Sequence, residues 1–479
     1  MRQRTSLLLV AFIVLLLALV WTSWSTLLGL TVYRLPASTP VGQGSLPVGT
    51  RAAQLFWSER YMDLEKLLDQ LLINAAMPDE IELALNNTCD YPIASRREAE
   101  RWLAQRPTSL WPQLCLGRAY LQQGLQARGN EFSMNTPPEK IARMHRAFED
   151  AYAQLAPSYN DAKYQRAVIV PLLTLLQFSG SASVGAAVGN YDSVYRAGVA
   201  AHPKMETLYA HRMNNLRPQW GGSINEMLRF VEEARKNGAP ERVIDRLAAT
   251  AAAAVTFEQW KGNPQMPASE LEVQIGRDLG IDAYENLALD LDRIGSPIGA
   301  KRARDEAVRR YAEHTTPLVR RGYTLLKKGE SKVAYRDFVE AANRGDYSAL
   351  NKVIYTLAYG DDVLQKDSGE LLKSWAEHGA SIGHAMSEHV VGTLFLQGLS
   401  GVKPDHAKAI AFYQRSARHG YANGQHDLAT LLLRAAKSDA DKQEAVGWLQ
   451  EAARQQHRFA REKLANMGIP YLEQDRRVN

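Results

Sequence analysis

The chain has 479 residues, 46% hydrophobic and 23% charged, which is enough apolar surface for a large core and too little bias for disorder. Its 57 basic and 52 acidic residues leave a formal net charge of +5, with no long Lys/Arg run and no basic stretch interleaved with aromatics, so a DNA or RNA partner is not expected. Only Cys89 and Cys115 are present, without a CxxC motif; they read as one disulfide in an oxidising compartment or as two buried free thiols.

At the N-terminus, Arg2 and Arg4 precede an uncharged run from Thr5 to Tyr33. About 20 such residues cross a hydrocarbon layer, and Trp21, Trp24 and Tyr33 sit towards the far end, where amphipathic rings prefer the interface. A cleaved signal peptide would have an apolar core of ~7–15 residues ending in a small-x-small site. This run is longer and lacks that site. Residues 1–33 are therefore expected to form a cytoplasmic tip and a single uncleaved signal anchor in an inner membrane, with the body in the periplasm. Residues 34–50, rich in Pro, Gly and Ser, read as a flexible tether.

From Arg51 onward the pattern is helical. Leu55, Phe56, Leu64, Leu67, Leu68, Leu71 and Leu72 form an apolar stripe, and alternating strand patterns are hard to find. The run Ala167–Phe178 is too short to span a membrane and predicts a buried helix beginning near Pro171. The following glycine-rich stretch is no phosphate loop: Gly185 is followed by Ala186 and Ala187 where a lysine and Ser/Thr are needed. Gly185 and Gly189 read instead as close-packing positions between helices. The run Trp220-Gly221-Gly222-Ser223 allows two readings. Ser223 could act in a catalytic loop, but only His202 and His211 are near and no triad pattern is visible. Otherwise Trp220 anchors a turn in the core and Ser223 caps the next helix, a role in function then being a binding cleft around these four residues. Acidic residues, as in "RKNGAPERVIDR" and "RARDEAVRR", are mixed with Lys/Arg and read as solvated faces.

Four segments in the last third end alike: "AANRG", "WAEHG", "SARHG" and "AARQQ". Their alanines, Ala342, Ala376, Ala417 and Ala453, are spaced 34, 41 and 36 residues apart, the period of a helical-hairpin solenoid. Small alanines let neighbouring helices approach, and Phe412, Tyr413 or Trp448 fills the groove between hairpins. Gly345, Gly379 and Gly420 are expected to end helices in the left-handed conformation. Ser331, Ser368, Asp405 and Asp441 are the expected N-caps, with capping-box spacing from Asp441 to Glu444. His378, His384, His389, His406, His419 and His426 lack zinc-ligand spacing and read as solvated side chains near turns, a pH-responsive contact being the alternative.

The stretch from Gly383 to Ala453 resembles Sel-1-like repeats, a subclass of tetratricopeptide-type repeats. Matching positions are Ala385, Gly392, Phe395, Gly398, Gly401-Val402, Asp405, Lys408-Ala409, Phe412-Tyr413, Ala417 and Gly420. The next unit keeps Ala422, Ala445, Trp448 and Ala452-Ala453, with Gln456 in place of the closing glycine. Pro218, Trp220–Ser223, Met227 and Phe230 lie in a region similar to the uncharacterised bacterial DUF-4034 domain. Together these imply an all-α chain: residues 51–261 DUF-4034-like, 262–315 connecting helices, and 316–479 repeats forming an α-solenoid. The repeats imply a concave surface that binds another protein or peptide, hence a membrane-anchored scaffold with no enzymatic activity, cofactor or metal. The alternative is a cell-envelope enzyme or effector with an active site in 51–261 near Trp220.

Overall fold

The computed structural model describes residues 46–73, 78–91, 94–129, 136–179, 189–360 and 369–471. The expected anchor and most of the tether lie outside these residues, as do Ser368 and Gly185. Every element among the described residues is helical, and none is long and apolar enough to cross a membrane.

The first helix, α1 (Val48–Trp57), begins inside the expected tether, with Gly49 and Thr50 already buried. Gly49 lies on α3 (Pro78–Cys89), where a Cβ would come within 2.7 Å of Leu83, so this stretch packs as body. After α2 (Tyr61–Ile73) and α4 (Ala94–Gln105) comes α5 (Leu110–Arg128). Cys89 and Cys115 form a disulfide between α3 and α5, which decides between the two cysteine readings. Beside it the buried Arg118 guanidinium donates to Glu82, Asn86 and Asp90.

The next helices are α6 (Pro138–Asn160), α7 (Gln165–Ser179), α8 (Tyr191–Ala201), α9 (Glu206–Asn215), α10 (Ile224–Lys236) and α11 (Glu241–Gly262). Helix α7 carries Pro171 in its interior and starts six residues before it, earlier than expected. Phe148, Leu173, Tyr195, Tyr209 and Phe230 centre one core. The alanine-rich α11 serves two: Ala251 and Ala254 face that core, while Ala249 and Ala253 face a second one built with α12 (Ile281–Arg293) and α13 (Pro297–Arg310). Small side chains permit close approach on both sides. The expected solvated face on α13 is corrected at Arg304, which is buried between Glu285 and Asp292.

Four hairpins follow: α14 (Thr316–Lys327) with α15 (Ser331–Asn343), α16 (Tyr347–Tyr359) with α17 (Gly369–Ser381), α18 (Ala385–Gln397) with α19 (His406–Arg418), and α20 (Ala422–Ala435) with α21 (Asp439–Arg454). A last helix, α22 (Arg458–Asn466), stacks on them. Ala342, Ala376, Ala417 and Ala453 are all buried. Trp448 bridges two apolar clusters, as its groove position requires, whereas Phe412 is half-buried on Phe395 and Tyr413 is the ring that fills the groove beneath Gly392. Gly345 and Gly420 are left-handed (φ +90° and +83°). Gly379 is not: it lies inside α17 against Ser387, and Gly383 (φ +78°) makes that turn. At the last seam Gln456 adopts φ +66°. Asp405 caps α19, but Ser331 is the first residue of α15 and caps nothing. The capping box at α21 is Ser438 with Asp441, three residues earlier than expected.

The left-handed glycines have a second use. A Cβ on Gly345 would come within 2.8 Å of Thr50 Oγ1, one on Gly383 would collide with Trp57, and one on Gly420 would come within 2.8 Å of Ala94 Cβ. The N-terminal helices thus run along successive seams. Asn87 donates to the Gly345 carbonyl (2.5 Å) and accepts from Tyr347 N–H (3.2 Å). Gln54 donates to the Ser381 carbonyl (3.3 Å), and Arg97 pairs with Glu451.

Candidate functional site

The run from Trp220 to Ser223 is a turn and a cap. Gly221 is left-handed (φ +90°), and the Leu216 carbonyl leaves no room for a side chain on Gly222. Ser223 Oγ accepts from Glu226 N–H (3.3 Å) and donates to the Glu226 carboxylate (2.7 Å). Trp220 is not a core anchor: it is 42% exposed and meets Phe178 edge-on at 5.8 Å.

A cavity of about 310 Å³ is walled by Leu176, Asn190, Tyr191, Asp192, Arg212 and Asn215, without any of the residues from Trp220 to Ser223. Gly189 (φ +96°) leads into α8 as a turn glycine, not a packing position. Behind the wall Tyr191 O–H donates to His211 Nδ1 (2.9 Å), and His211 Nε2 meets Thr174 Oγ1 (3.2 Å). Burial holds His211 down to about 4 and pushes the Tyr191 phenol up, so near neutral pH the imidazole is uncharged and the phenol keeps its proton. The wall supplies hydrogen-bonding groups.

A larger arrangement occupies the first helices of successive hairpins. Tyr323 on α14, Tyr355 and Tyr359 on α16 and Phe459 on α22 are exposed, the last at 59%. Lys352 Nζ sits over the rings of Tyr323 (5.1 Å) and Tyr355 (5.8 Å), and Tyr355 and Tyr359 are 5.5 Å apart. On α18 and α20, His389 Nε2 and His426 Nδ1 donate to the two oxygens of Asp427 at 2.8 and 2.7 Å. His389 also lies against Tyr413 and Tyr421 (5.3 Å each). His426 then leads to His457 (5.0 Å), and both contact Phe459. Burial raises the Asp427 pKa, but the two imidazoles outweigh it and hold the carboxyl well below its usual range. The result is two groups along one row of helices: exposed rings with one ammonium on α14 and α16, and a shared imidazole–carboxylate group on α18 and α20 that leads to Phe459. Together they can grip an extended ligand by ring contacts and a few directed hydrogen bonds.

The histidines are therefore structural rather than solvated, with His406 the exposed exception. His384 is 1% exposed; its Nδ1 accepts from Ser387 N–H to cap α18, and burial holds it to about 3. His419 donates to the buried Glu388 (2.7 Å) and packs on Trp57. Burial also lowers His378. Among the described residues no group of three or more His, Cys, Asp or Glu is placed to hold a metal ion. Tyr355, Tyr359 and Asp427 had no sequence signal, because an aromatic at helical spacing reads as core.

Residues 385–421 and 422–457 each match the Sel1 repeat family. Among solved structures, a Sel1 repeat protein from Oxalobacter formigenes is similar at 19% identity, covering 44% of this chain and 88% of that one, with a TM-score of 0.32. A protective antigen of uropathogenic Escherichia coli displaying an SLR fold is similar at 17% identity, covering 79% and 77%, with a TM-score of 0.36. Yeast Tom70 is similar at 14% identity, covering 88% of each chain, with a TM-score of 0.29. The hairpins α18–α19 and α20–α21 are thus the two units that match the Sel1 repeat, within residues 385–457.

Proposed function

We propose that the chain is a scaffold that holds another protein or peptide on the face formed by the first helices of its repeats. The carrying observation is the exposed row Tyr323, Tyr355, Tyr359 and Phe459 on that face. We place it at a bacterial inner membrane, anchored by residues 1–33 with its body in the periplasm, its 51–261 region being a DUF-4034-like domain. The apolar run Thr5–Tyr33 supports the anchor, and the Cys89–Cys115 bond suits an oxidising compartment. The test is photo-crosslinking in intact cells, with the crosslinker at position 355 or 359 and, as control, at the exposed Leu228 on α10. A discrete partner adduct at 355 and 359 but not at 228 is expected; no adduct, or equal adducts at all three, refutes the reading.

A second reading, an envelope enzyme or effector acting through 51–261, is favoured by the polar cavity at Tyr191 and Arg212. Cells carrying Arg212→Gln that lose function while Tyr355→Ala/Tyr359→Ala cells keep it would support that reading against the scaffold.

A further inference from the structure

A second cavity, of about 270 Å³, lies where the N-terminal helices meet the repeats. Trp57 of α1 and Arg101 of α4 wall one side, and Arg415, Arg418 and His419, at the end of α19, wall the other. Each guanidinium carries five N–H donors and no acceptor. Arg101 directs one nitrogen to Glu98 (2.9 Å), whose other oxygen takes the Tyr61 hydroxyl (2.5 Å). Arg415 donates to the Ala380 carbonyl (2.6 Å) and stands 2.8 Å from Glu388 as an ion pair without hydrogen-bond alignment. Glu388 is fully buried, and its second oxygen accepts from His419. Arg418 forms no ion pair or hydrogen bond with a described residue. The Trp57 indole N–H, 92% of whose residue surface is buried, has no hydrogen-bond partner.

Of the two carboxylates on the wall, Glu98 is thus already engaged and Glu59 is exposed and screened by water, while Glu388 lies outside the lining, ion-paired to Arg415 and accepting from His419. What remains in excess is donors, on three cations and one indole. A ligand matching that surplus is negative and rich in acceptors. The cavity falls just below the ~300–1,000 Å³ of drug-sized sites, so the ligand is small or inserts only its anionic end.

We propose that this cavity binds an oxyanion, a carboxylate or a phosphate group, which Arg418 holds with the spare donors of Arg415 and Arg101. Bound there, the group bridges α1 and α4 to α19 and fastens the N-terminal helices to the repeats. The site is separate from the first-helix face and stands or falls independently of the scaffold reading.

The test is isothermal titration of the full chain at constant ionic strength, with sodium phosphate in one arm and sodium succinate in the other. One saturable site per chain is expected in at least one arm, weakened tenfold or more by Arg418→Gln. Arg418 is exposed, so the variant retains its fold. Arg434→Gln, an exposed arginine of α20 outside the cavity, leaves the affinity unchanged. The tighter arm identifies the anion class. Absence of saturable binding in both arms, or equal affinity of Arg418→Gln and the parent, overturns the proposal.

Discussion

Gly383→Ala measures how firmly the N-terminal helices are seated on the repeats. Gly383 is left-handed (φ +78°), and an L residue there costs about 1–2 kcal/mol in backbone strain. Gly329, in the turn between α14 and α15, has the same conformation (φ +79°) with open space where a Cβ would stand. Gly329→Ala therefore carries the strain alone, and the change in unfolded-chain entropy is common to both variants. At Gly383 the new methyl also meets Trp57, whose Cγ is only 2.9 Å away. Trp57 is 8% exposed, and complete loss of a core tryptophan costs roughly 3–5 kcal/mol. Displacing it by half should make Gly383→Ala less stable than Gly329→Ala by about 2 kcal/mol. Guanidinium midpoints give the difference, and hydrogen exchange locates it: protection across Val48–Trp57 should fall in Gly383→Ala and persist in Gly329→Ala. Equal midpoints with unchanged protection would show that the seam contact contributes nothing.

Reducing Cys89–Cys115, which closes a sequence separation of 26, should lower stability by roughly 3.5 kcal/mol, read from unfolding midpoints with and without reductant. Gln456→Gly relieves a left-handed non-glycine and should raise stability by about 0.5–1 kcal/mol after the entropy of the added glycine is subtracted, read from the same midpoints. Burial holds His211 at about 4 and His384 at about 3, so the unfolded chain, with pKa near ~6.5, binds protons first. Stability is then full above pH ~6.5 and falls below it, by about 4 kcal/mol for the pair at pH 5; urea titrations flat from pH 6.5 to 5 would contradict this. Tyr355→Ala/Tyr359→Ala removes exposed rings and should leave stability within about 0.5 kcal/mol per site while weakening the crosslinked partner's binding.

The helical class and the hairpin period were legible because both are local. Apolar spacing along one helix reports its buried stripe, and a buried alanine recurs wherever two hairpins meet, as at Ala342, Ala376, Ala417 and Ala453. Capping was less legible: Asp405 and Ser223 cap as expected, but Ser331 is displaced by one residue and the α21 box by three. The docking of α1 and α4 on the seams left no distinct trace. Its sequence marks, Gly345 and Gly420, are the same glycines that a helix end requires, so one residue type serves two needs and only the first is visible in the chain. The histidines misled for a related reason. Their positions near turns suggested solvent, whereas the seams bring Glu388 to His419, and adjacent first helices bring Asp427 to His389.

The two faces of the repeat row differ in what they have left to offer. Along the seams the main-chain groups are taken: Asn87 occupies the Gly345 carbonyl, Gln54 that of Ser381 and Gln455 that of Gly420. A partner approaching these carbonyls would have to displace the chain's own helices before gaining a main-chain hydrogen bond, and unpaired buried groups cost about 1–3 kcal/mol each. On the first-helix face no such occupant is found among the described residues. Tyr355, Tyr359 and Phe459 each forgo part of the ~1.5–3 kcal/mol that burying a large apolar side chain would contribute. A single exposed ring is ordinary on any surface. Here the exposed rings of α16 and α22 stand with polar groups already oriented by Asp427 on the helices between, so a ligand laid along them gains apolar burial without first breaking a contact. On the scaffold reading proposed above, that asymmetry favours the first-helix face for the partner, while the seams hold the chain together.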